Sequence, residues 1–549
     1  MPQPEPVRPA QSSSLVIDRR GLLTRSAALA SSVAAFGAPA VAVRTQDSTL
    51  TIASNWTPAD LDPQSGYDPG SGLMLCGIYE GLLRQTGDSG AQLEPCLAES
   101  WSANADSSVW TFLLRSGVTF QDGTPLTAEA AQASFDRQMT LNRAPANVLN
   151  RFVSSPDQIV AVDERTLRFD LDRSWPRFDV ALAAPFGASI MNVAVAMAHD
   201  VDGDLGLGWC QTNAEGLGTG PYRLTELEPQ SHATLERYDG YWGGWNDPHF
   251  DRVIIRVVVE SETRRELLEQ GEVDLVENIG LDSVADLEQN PDLVVDRQTL
   301  MTVRYLAITQ TEPFTQPEAR QALCWAFPYD EVLSGVLLGT AKPAFGAVSP
   351  NTYGFSPPSP AFTTDLDKAR GLLASAGIPE GTRIWTVVNS GNISLQSVAE
   401  LFQYNLQQIG IQLDIVDMDY GTFIAMIFGD QPAEERPTLL PIFWDPDYDD
   451  AWSQLWPMAS CDAWNSGNGG HYCNERVDEL LQAANDASDE DACLAALAEA
   501  QQLTGYDDPV SIYFALPEWI TVLRADIGGF QVHPIVGSYL DYYAMYRRE

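Results

Sequence analysis

Lysine is almost missing from this chain, with only Lys342 and Lys368 in 549 residues. The positive charge is therefore nearly all arginine, and 32 basic residues stand against 75 acidic ones for a formal charge of −43. Such a surface repels phosphate backbones and anionic lipid, which argues against a nucleic-acid partner. It suits a saline habitat, and a GC-rich genome also favours arginine over lysine. Past the amino terminus, no apolar run reaches the ~18 residues that a membrane-spanning helix needs. Also absent are H-E-x-x-H, G-x-S-x-G, S-x-x-K and C-x-x-C patterns, and the five histidines are scattered. No nucleophile or metal constellation emerges, so the expectation is a protein that is not an enzyme and needs no cofactor or metal.

What is there points to a large exported globular protein. At 60.0 kDa the chain exceeds one hydrophobic core, and two or three domains are expected. Arg19-Arg20 precede an Ala/Ser-rich apolar run that ends in Ala40-Val41-Ala42, similar to a twin-arginine export signal over residues 1–42. Asp18 and Leu22 depart from the usual residues around that arginine pair. The predicted location is the periplasm or cell surface. Seven cysteines leave at least one thiol unpaired, and Cys461 with Cys473, bracketing a Trp/Asn/Gly-rich loop, form the first candidate disulfide. Adding His471 gives only three possible metal ligands.

Strands are expected at 49–55, 109–115 and 253–259, the last β-branched enough to be central. Thr127 is a plausible cap of a helix through Phe135. Leu395, Val398, Phe402, Leu406 and Ile409 share one helical face, and past Gly410 the alternation of Ile411, Leu413 and Ile415 reads as a strand. A single long helical pattern runs from Glu475 to about Leu503. Helices and strands mix throughout, which makes the class α/β.

Several stretches in order resemble the family 5 extracellular solute-binding proteins of ABC transporters. They are Leu97-Ala98-Glu99-Ser100-Trp101, the run from Trp110 to Glu129, Gly218-Thr219-Gly220-Pro221-Tyr222, Arg237 to Gly243, Gly271-Glu272-Val273-Asp274, Ala319 to Leu323, and Trp444-Asp445-Pro446-Asp447-Tyr448. Gly218 and Gly220 read as a tight turn before a strand, since no nucleotide-loop pattern surrounds them. The resemblance implies a two-lobed Venus-flytrap fold of class II type with an extra inserted subdomain. Lobe I would comprise 43–83, 196–302 and 518–549, the inserted subdomain 84–195 and lobe II 303–517. It also implies a monomer that closes on a ligand and delivers it to a membrane permease.

In the oligopeptide binders of that family, a W-x-x-D-Y stretch supplies the carboxylate that pairs with the peptide's amino terminus, a role that maps onto Asp447. In an extended chain Asp445, Asp447 and Asp449 would point one way and Trp444, Tyr448 and Asp450 the other. A calcium loop is excluded because Asp450 and Trp456 stand where Gly and Glu are required. The competing reading is a solvated acidic loop. Trp444, Trp452, Trp456 and Trp464 could stack on a sugar, an aromatic group or a cation, or could anchor the core. Asn55, Trp56 and Tyr67 are further candidates at the cleft edge. The expected ligand is a short peptide or another amine-bearing molecule. An oligosaccharide or other small solute, or a sensory role presenting ligand to a receptor, stands as the alternative, and nickel is disfavoured because only His471 lies near.

Overall fold

The computed structural model describes residues 48–548 apart from Ala59, residues 87–91, Gly391, Asp430, residues 465–466 and Ser488. The export-type signal therefore lies outside the described residues. The first strand, β1 (Thr49–Ser54), leads to α1 (Pro69–Ile78), whose N-terminus is capped by the Asp68 carboxylate accepting from the Ser71 N–H at 3.0 Å.

A separate four-stranded antiparallel sheet follows, made of β2 (Ala98–Ala103), β3 (Val109–Leu114), β4 (Ile159–Ala161) and β5 (Thr166–Asp170) in the order β2-β3-β5-β4. Helix α2 (Ala128–Leu141), capped by Thr127 as its sequence suggests, packs on this sheet and extends past Phe135. Phe112, Phe135, Phe169 and Phe178 fill the space between them in edge-on contacts.

The main sheet has twelve strands among the described residues. One half contains β6 (Tyr222–Glu228), β7 (His232–Arg237), β8 (Arg252–Val257), β1 and β9 (Leu275–Glu277), in that spatial order. Between β8 and β9 runs α3 (Ser261–Glu269), and Gly271 ends that turn at φ 73°. After β10 (Leu293–Thr299) come β11 (Val303–Ile308) and α4 (Pro317–Ala326). The other half is β11 with β12 (Thr382–Asn389), β13 (Ile411–Met418) and β14 (Leu439–Trp444), in the order β11-β14-β12-β13. Helix α5 (Ile393–Gln408) buries Val398, Phe402 and Leu406 against this half, following its apolar stripe.

One strand serves both halves. β15 (Ser511–Arg524) pairs with β11 through Ser511 to Ala515, and with β9 through Thr521 to Leu523. β10 pairs along β15 from Glu518 to Arg524.

Two expectations fail locally. The long pattern from Glu475 is two helices, α7 (Glu475–Asp486) and α8 (Glu490–Gln502). Ala487 turns extended and the Asp489 carboxylate caps a new start by accepting from the Ala492 N–H, so a side chain competes with the backbone and breaks the run. Gly218 and Gly220 do not form the tight turn expected before β6: the turn ends at Leu217 and neither glycine takes a positive φ. A Cβ on Gly218 would lie 1.9 Å from the Ile78 carbonyl oxygen, so what demands glycine there is close backbone approach.

Candidate ligand-binding cleft

Strand β14 carries the acidic segment out of the core. Leu439 and Leu440 are buried, but the ladder ends at Trp444 and Pro446 cannot extend it. The extended alternation expected for 444–450 therefore does not hold, and each carboxylate has its own partner. Asp445 accepts from the Thr302 hydroxyl and Asp447 from the Tyr67 phenol. Asp449 accepts from the Tyr353 N–H at 2.7 Å, and Asp450 caps α6 (Ala451–Ala459) by accepting from the Trp452 N–H at 2.8 Å. With Asp449 and Asp450 only 1 % and 4 % exposed, the segment is no solvated acidic loop.

Asp445 and Asp447 remain half-buried. Burial pushes both carboxyls up to about 6; Tyr67 and Arg151 draw Asp447 back down, while Asp447 adds to the rise at Asp445 and Arg304 opposes it. Two crowded, desolvated carboxylates form a place where a cation gains more than it would at the surface. Tyr67 precedes the α1 cap, leans on Phe186 at 5.2 Å and is 39 % exposed. Phe186 also meets Tyr539, which borders a cavity of about 140 Å³ lined in part by Glu80, Arg84, His533 and Asp541.

Three arginines from residues 151–177 reach the same region. Arg151 donates to the Tyr448 hydroxyl at 2.6 Å and to the Asn485 amide oxygen, and covers the Trp452 ring. Arg173 pairs with Asp486 at 2.8 Å. Arg177 donates to the Asp449 carbonyl at 3.1 Å and lies 3.6 Å over the Tyr353 ring. Tyr448 is buried with the aromatic core of residues 97–190, 5.8 Å from Phe152. Nothing in the local sequence pattern announces these contacts.

Of the other candidates, Asn55 accepts from the Asn278 amide at 2.7 Å and Trp56 packs on the core around β1. No hydrogen bond or ring contact joins either to 444–448 among the described residues. Trp444 packs beside the core below β14, with its indole N–H buried and without an acceptor. Trp452 and Trp456 stack on each other, and Trp464 stacks on His471 at 4.9 Å. Cys461 and Cys473 are joined in a disulfide, which withdraws both from metal ligation, and five cysteines are free. Two exposed residues escaped the sequence reading: Arg304 on β11 and, in register with it on β14, Phe443. Their signal was a charge and a ring at outward positions of apolar strands.

The motif residues themselves do other work. Glu80, buried to 9 % exposure, accepts from Thr219 at 2.8 Å, Tyr241 at 2.8 Å and Trp242 at 2.9 Å, so that blocks far apart in sequence meet on one carboxylate. Asp274 accepts from the Thr51 N–H and pairs with Arg547, and Arg320 pairs with Asp508. Residues 92–466 match the pattern of the bacterial extracellular solute-binding proteins, family 5 (middle region). The chain belongs to this family. A glutathione-binding protein of Salmonella typhi is 29 % identical over 520 residues, covering 93 % of this chain and 96 % of that one. A probable D,D-dipeptide-binding periplasmic protein of Escherichia coli K12 is 27 % identical, covering 89 % and 92 %. Among solved structures, a periplasmic binding protein of Helicobacter pylori in complex with the peptide STSA superposes with a TM-score of 0.79 at 23 % identity, over 92 % of this chain and 99 % of that one. The fold is thus the two-lobed one of the family 5 binding proteins.

Proposed function

We propose that this chain is the exported substrate-binding component of an ABC importer, closing two lobes on a short peptide or another amine-bearing solute. Lobe I would be 43–83, 196–302 and 518–549, lobe II 303–517, and 84–195 the inserted subdomain. The pairing of β15 with one half-sheet up to Ala515 and with the other from Glu518 supports the division near 517. Closure needs contacts made only in the closed state, and the hydrogen bond from Tyr67 to Asp447, which would join lobe I to lobe II, supports the reading. The Asp447 carboxylate, raised by burial, gains by meeting an ammonium. The relatives described as binding glutathione, D,D-dipeptide and STSA lend the same support.

A sugar-binding reading is weakened because Trp452 is covered by Arg151 and Trp456 is stacked on Trp452. The protein acts without catalysis, as a monomer, with a permease as its membrane partner, after export by its twin-arginine-type signal. A thermal-shift screen against di- to pentapeptides, sugars, polyamines and nickel chelates tests this. A ligand at a hundred times its dissociation constant stabilises by roughly 2.7 kcal/mol. Peptides that shift the melting point and lose the effect on N-acetylation are the expected result. A shift with sugars alone would refute the assignment to Asp447.

A further inference from the structure

Arg304 differs from the other arginines of the cleft region. Arg151, Arg173 and Arg177 are all engaged with acceptors across the cleft, whereas Arg304 makes no hydrogen bond or ion pair among the described residues. It sits on β11 directly across from Phe443 of β14, a ring 62 % exposed, and beside Ala515 of β15. Thr302, two residues earlier on the same side of the chain, holds an oxygen of Asp445. Asp445 is thereby tied down short of an ion pair with Arg304, yet it feels the charges of both Arg304 and Asp447. An exposed apolar ring, an unspent guanidinium and the two carboxylates consequently share one neighbourhood.

We propose that Arg304 receives the carboxylate of a zwitterionic ligand whose ammonium lies at Asp447, which makes the ligand a short peptide with both termini free. The inference rests on the amine-binding role of Asp447 proposed above. A guanidinium presents its donors as a planar fork that fits a carboxylate in two parallel hydrogen bonds, and an ammonium of lysine would not replace it. Phe443, level with Arg304 in the ladder, offers an apolar surface to the residue that precedes the carboxylate.

The test is equilibrium dialysis of the protein against pools of di- to tetrapeptides supplied as free acids, C-terminal amides and N-acetyl peptides. Wild type, Arg304→Gln and Arg304→Lys are compared. Amidation is expected to weaken binding to the wild type at least tenfold. R304Q should bind acids and amides equally, at the weak level of the amides, and R304K should recover only part of the loss. Because the side chain is exposed and unpaired, R304Q should melt with the wild type, which separates lost binding from lost folding. Acids and amides binding the wild type alike, with acetylation still abolishing binding, would overturn the role of Arg304 and leave that of Asp447 standing. Amides that regain affinity when they carry a glutamate side chain would overturn the assignment to the peptide terminus. Binding of no peptide in any form overturns both readings.

Discussion

The Tyr67 phenol donates a hydrogen bond to the Asp447 carboxylate, joining the segment after the first strand to a loop 380 residues further along. A ligand ammonium arriving at Asp447 must share that carboxylate with the phenol or use its second oxygen. Asp447→Asn keeps an acceptor for Tyr67 and removes the charge. Affinity for an amine-bearing peptide should fall by roughly 2–5 kcal/mol, measured by calorimetric titration. Wild-type affinity should also decline below about pH 6, where the free carboxyl takes up its proton. Unchanged affinity in D447N would remove Asp447 from the site.

Glu277, wholly buried on β9, is held up at about 7 by burial, against 4.5 for an ordinary glutamate. The folded protein therefore binds more protons than the unfolded chain between those values, and stability falls as pH rises through that window. Glu277→Gln should remove this slope and stabilise the protein at pH 8 by roughly 3–4 kcal/mol, at about 1.4 kcal/mol per pKa unit. The two proteins should converge near pH 4.5 in denaturant titrations. An equal gain at both pH values would show that packing, not charge, produced it.

Arg151 reaches Tyr448, Asn485 and Trp452, about 300 residues further along the chain. Arg151→Met keeps much of the volume and loses the donors, and hydrogen bonds to charged groups contribute about 1.5–3 kcal/mol. The variant should release ligand faster and give a larger radius of gyration in small-angle scattering. Scattering identical to the wild type would mean that this contact does not hold closure.

The Cys461–Cys473 disulfide closes a loop of 12 residues in sequence separation. Loop-closure entropy gives about 3 kcal/mol of stabilisation for a loop of this size. The double serine variant should unfold at correspondingly lower denaturant in the absence of reductant. No difference would mean that the unfolded loop is already constrained.

Local pattern revealed much of this fold. The α5 stripe, the β-branched β8 and the Thr127 cap all follow from residues within one or two turns of each other. The break at Ala487 was hidden because its flanks continue the same helical period, and only the Asp489 cap separates them. The need for glycine at 218 was visible, but its cause lay at Ile78, 140 positions earlier. Arg151 and Tyr448 are 297 residues apart, and Arg177 and Asp449 are 272 apart. Such pairs follow from how the chain is routed, which no short window of sequence carries.

β15 has a consequence for synthesis. Because this strand follows every other strand of the main sheet in sequence, a growing chain has made both half-sheets before either receives the strand that both require. Neither lobe can reach its final form on the ribosome ahead of the other. The emerging polypeptide must wait with two unfinished sheets, whose edges beside β15 stay open until that strand is out.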